Sequence, residues 1–95
     1  MFTVIDTIPM TDVLYRHQPG LKAKYQSDGL LAILDPDETT EVPVVSGSVV
    51  TIFRPDGSSI VRVVTVAERP STVVGLFFAG LRPEDVPRLS HIKVD

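Results

Sequence analysis

Short β-branched runs, separated by Pro, Gly, Asp and Ser, dominate the chain. The runs are FTVIDTI (2–8), GLLAIL (29–34), VPVV (42–45), SVVTIF (48–53), SIVRVVTV (59–66), TVVGLFF (72–78) and SHIKV (90–94). Six or seven short strands at this spacing predict an all-β domain, an antiparallel barrel or sandwich. No segment carries a long 3.6-residue period, so at most one short helix is expected. That helix would lie in TDVLYRHQ (11–18), where Thr11 can cap a helix that Pro19-Gly20 ends. The same stretch also reads as a strand followed by a turn.

Two turns are encoded locally. In RPDGSS (54–59), Pro55 presets φ for the first central position, Asp56 tolerates the second and Gly57 supplies a positive φ. The flanking runs then form a hairpin. In RPEDVP (82–87), Pro83 opens a single helical turn, Glu84 and Asp85 favour its positive end and Pro87 stops it. Residues 35–41, DPDETTE, read as a solvated acidic loop.

Alternation along a strand sends successive side chains to opposite faces. If Val50, Ile52, Val74, Leu76 and Phe78 face inward, the alternate positions face out. The outward set is then Val49, Phe53, Val73 and Phe77, with Thr51 among them. A water-facing strand would carry polar residues there. Either residues 11–28 fold across this face or a partner covers it.

Two stretches, GSVVTIFRPDGSSIVRVVTV and VVGLFFAGLRPEDVPRLSHI, make up about the last half of the chain. They resemble the second domain of translational GTPases of the elongation factor Tu type. Gly47, Val50 and Ile52 match a Gly-polar-x-Val-x-Ile strand. Val74, Gly75, Leu76, Phe78, Gly80 and Leu81 match a later strand, and Glu84, Asp85, Val86 and Arg88 match the acidic turn after it. FTVIDTI is similar to the family's first strand. The resemblance implies a six- or seven-stranded antiparallel barrel with the inward register above. Two departures stand out. Leu89 occupies the position of the glycine after the arginine, and residues 11–28 lack the usual Gly-Arg-Gly-x-Val-x-x-Gly run. Barrels of this family dock on neighbouring domains, which implies docking on a protein partner or a second copy.

The family's GTP chemistry does not extend to this sequence. No Gly-x-x-x-x-Gly-Lys-Ser/Thr loop is present to cradle phosphates, and the chain has no Asn for a guanine-reading motif. No serine lies in a Gly-x-Ser-x-Gly elbow. His17 and His91 have no spacing that links them, and Asp35, Asp37, Glu38 and Glu41 lack a calcium loop's pattern. A non-enzymatic interaction module without cofactor, metal or GTP is therefore the expectation.

Composition refines this picture. The 95 residues suffice for one domain, expected to span 1–95. The chain has no cysteines, which is compatible with a cytoplasmic protein. MFTVIDTIPM lacks the basic segment of a signal peptide, and no apolar stretch reaches the roughly 20 residues of a membrane span. A net charge of −3 argues against a phosphate-gripping surface. The alternative is an RNA- or ribosome-associated protein, for which Tyr15, Arg16, Lys22, Lys24 and Tyr25, with His17, bring rings and positive charge into one segment. The resemblance lends that alternative some weight, because the family's barrel helps hold the transfer RNA acceptor end.

Overall fold

A computed structural model describes residues 1–38, 44–68 and 73–95. Seven strands lie in the order β4-β3-β7-β1-β2-β6-β5, every pair antiparallel. They are β1 (Phe2–Met10), β2 (Gly29–Leu34), β3 (Val49–Phe53), β4 (Ser59–Val63), β5 (Val66–Glu68), β6 (Gly75–Ala79) and β7 (His91–Val94). The all-β antiparallel expectation holds. Of the seven expected runs, 42–45 supplies no described strand: Val44 and Val45 lie outside β3, and 42 and 43 fall outside the described residues.

The seventh strand comes instead from a break in SIVRVVTV. Val64 donates its N–H to the Ser48 carbonyl (2.8 Å), beyond the end of β3, while Thr65 donates to the Phe77 carbonyl of β6 (2.9 Å). One apolar run is thereby shared between two ladders. The hydrogen-bonded order is open at β4 and β5, but those two strands are consecutive in the chain. The sheet rolls on itself, with Val64 and Thr65 forming the corner, and is not a fully closed barrel.

The set expected to face inward is buried. Val50, Ile52, Val74, Leu76 and Phe78 are buried with Val4, Leu30, Leu34 and Ile92 in one cluster. Register explains this: Ile52 sits between Ile60 of β4 and Ile92 of β7, and Phe78 pairs with Leu30.

The hairpin also forms as read. Arg54 N–H donates to the Ser58 carbonyl (2.8 Å), and Gly57 takes φ +91°. The Asp56 carboxylate accepts from the Ser58 N–H (2.9 Å) and hydroxyl (2.6 Å), which holds its pKa below the usual carboxylate range. The acidic turn is a 3-10 turn at Pro83–Asp85, where the Asp85 carboxylate accepts from the Arg82 N–H (2.8 Å).

Residues 11–28 form helices, and there are two where the sequence allowed one. Helix α1 (Asp12–His17) begins after Thr11, whose hydroxyl makes no cap bond. Pro19 and Gly20 do not end the helical region. Pro19 instead starts α2 (Pro19–Tyr25) at its first position, where a missing N–H costs nothing.

Leu89 takes φ +69°, the left-handed backbone that glycine adopts freely, at the position where the resemblance has a glycine. Its side chain is 62% exposed and gains little from burial. Leu89→Gly is therefore expected to raise stability by about 0.5–1 kcal/mol, the left-handed cost outweighing glycine's entropy in the unfolded chain. Urea denaturation checks this; an unchanged or lower midpoint contradicts it.

Candidate functional site

The outward apolar set has two fates, decided by where the helices dock. On the β2–β6 side, Phe77 lies in one row with Leu31 and Val66. Helices α1 and α2 cover that row, and Phe77 is 0% exposed. Met10, Tyr15, Tyr25, Leu31 and Phe77 make a second core, flanked by Leu14, Leu21, Ile33 and Val66. Val73 is partly covered. On this side the cover is therefore residues 11–28 of the same chain, and Phe77 presents no surface to a partner.

Both tyrosines of the basic segment belong to this second core. Each is 4% exposed. The Tyr25 ring packs on Phe77 with centroids 4.4 Å apart, and the Tyr15 hydroxyl donates to the Ser27 carbonyl at 2.6 Å. Burial, reinforced by the Glu68 carboxylate, pushes the Tyr25 pKa up to about 12, so the ring stays neutral. Burial also raises Tyr15, with Asp28 adding to the effect. Lys24 is tied to Glu68 at 2.5 Å and so anchors α2 to β5. Arg16, His17 and Lys22 point to solvent, but the rings between them are unavailable for stacking on bases.

Among the described residues, nothing covers the β3–β4 side. Val49 lies opposite Val63, Thr51 opposite Val61, and Phe53 opposite Ser59. Hydrogen bonds between the flanking positions make these the non-hydrogen-bonded pairs, whose side chains approach most closely. Val49 (43%), Phe53 (37%), Val61 (56%) and Val63 (55%) are exposed together. Val61 and Val63 are absent from the sequence-derived set. Their signal was the valine-rich run IVRVVTV (60–66), whose valines fall at both odd and even positions and so on both faces of whichever strand it forms.

Strand β7 supplies the polar flank. His91 sits beside Phe53 and Lys93 beside Thr51. Asp95 donates its N–H to the Val49 carbonyl (3.0 Å), and its carboxylate accepts from the Thr51 hydroxyl (3.0 Å). The free edge of β4 is partly closed. The Val61 carbonyl points away from β3 and accepts from the Arg62 guanidinium at 2.8 Å. An incoming strand would have to displace that bond, so the face is the open element and the edge is guarded.

Elsewhere, a cleft of about 330 Å³ opens between Pro9, Thr11, Asp28, Gly29, Leu81 and Arg82. Its walls are mostly apolar, and Arg82 is already paired with Glu84 at 3.2 Å. Among the described residues no three His, Asp or Glu side chains converge as metal ligands, and no helix is long and apolar enough to cross a membrane. In comparisons with known proteins, no family model, no curated protein and no solved structure matches this chain.

Proposed function

We propose that this chain is a non-enzymatic interaction module that docks a protein through the outer face of β3 and β4. The carrying observation is the exposure of Val49, Phe53, Val61 and Val63 as one registered group, while the equivalent face on β2 and β6 is covered by the chain's own helices. Exposed apolar side chains gathered in this way mark interaction surfaces, and burying them drives association. The likeness to the second domain of translational GTPases belongs to this reading. It is supported by the inward positions Val50, Ile52, Val74, Leu76 and Phe78 and by the glycine-like backbone at Leu89.

Photo-crosslinking in the cells that produce the protein tests the proposal. A photoreactive residue in place of Val61 is expected to give a discrete adduct. The same residue in place of Lys22, on the helical side, is expected to give none. No adduct from position 61, or equal adducts from both positions, overturns the reading.

A further inference from the structure

Resting on that docking surface, we infer that its occupant is a second copy of this chain, packed face to face about a two-fold axis. An interface of this kind must be self-complementary, because each patch meets its own image. The register of the three strands allows a direct check. Arg62, Val50 and Val94 form one row across β4, β3 and β7. A two-fold axis lying in the face over that row exchanges each outward residue next to the row with the one two positions along its own strand.

Val61 then meets Val63 of the second copy, and Val49 meets Thr51. Lys93 meets Asp95 of the second copy, twice by symmetry. Phe53 falls beyond the start of β3 of the second copy, over the turn at 46–47 that precedes it. Val61 and Val63 thus meet as apolar groups, and opposite charges meet. The facing strands run antiparallel, compatible with the aligned packing of two twisted sheets.

Neighbouring axes fail this check. An axis over the row Val61–Thr51–Lys93 sets Lys93 against Lys93. One over Ile60–Ile52–Ile92 sets Lys93 against His91. Only the Val50 row brings opposite charges together. Asp95 is already held on the face by Thr51, and Lys93 pairs with no carboxylate among the described residues. Extension of the sheet through β4 is the competing mode, and the Arg62 bond to the Val61 carbonyl opposes it.

Sedimentation equilibrium on the intact chain provides the test. The wild type is expected to show reversible monomer–dimer association. Lys93→Asp and Asp95→Lys each set like charges opposite one another at two symmetric places, and each is expected to weaken the dimer about tenfold or more. The double variant restores opposite charges and is expected to recover to within about threefold of wild type. Both substitutions are on exposed side chains, and circular dichroism checks the folding of all three variants. Val61→Glu, independent of the charge pair, is expected to give a monomer. A wild type that stays monomeric, a dimer indifferent to these variants, or singles that the double does not rescue overturns the inference. A monomer that still yields a position-61 adduct heavier than twice the 10.4 kDa chain removes the second copy but leaves the docking surface standing. A monomer with no adduct removes both.

Discussion

Phe77→Ala and Phe78→Ala are each expected to cost about 3–5 kcal/mol, through lost burial and the cavity left behind. The two rings are adjacent in sequence and point to opposite sides of β6. Phe78 fills the interior with Leu30, Ile52 and Ile92, whereas Phe77 fills the layer between the sheet and the helices. Similar energies should therefore have different structural consequences. Phe78→Ala weakens the common core, and hydrogen exchange should accelerate across β2, β3, β6 and β7 together. Phe77→Ala removes the ring on which Tyr25 packs at 4.4 Å, and exchange should accelerate first in α1 and α2. Urea denaturation with residue-resolved exchange checks both. A cost below about 1 kcal/mol for Phe77→Ala would mean the helices do not hold this face.

Gly29→Ala is the second large effect, and it acts by excess volume. A Cβ at residue 29 would run into the Phe78 carbonyl and come within 2.7 Å of the Phe77 ring. The first of these is backbone in the paired strand β6, where Gly29 lies opposite Ala79, so it cannot swing away. Relief requires β2 and β6 to part at one end. The expected cost is about 3 kcal/mol, the upper part of the range for overpacking. Gly75→Ala is the control. There the nearest atom is a terminal carbon of Leu31 at 3.2 Å, which can move, so the loss should be under about 1 kcal/mol. Equal losses at the two glycines would overturn this account.

Much of the fold was legible because its determinants are local. Pro55, Asp56 and Gly57 specify a turn through their own backbone preferences, and Gly57 takes the positive φ that they require. Alternation separates the two faces of each strand, and a slip of one residue would bury Thr51 and expose Ile52. Pro83 to Asp85 specify their helical turn in the same way. The break at Val64 and Thr65 was not legible. Nothing in SIVRVVTV interrupts an extended strand, and the bend exists because Ser48 and Phe77 accept from neighbouring N–H groups in different ladders.

The candidate surface divides along the same line. Val49 and Phe53 on β3, and Phe77 on β6, carry the same local signature of an apolar residue at an outward position. Alternation determines that they face outward and is silent on what lies above them. The tertiary structure decides that α1 and α2 dock on β2 and β6. Tyr15, Tyr25 and Phe77 share a core there, and Lys24 reaches Glu68 of β5. The same two tyrosines read as stacking platforms beside Lys22 and Lys24 until their burial is known. Local chemistry thus determined the strands, the turns and the alternation of their faces. Which apolar outer face was left bare depended on long-range packing, because burial is a property of the neighbours a side chain meets and not of its own sequence position.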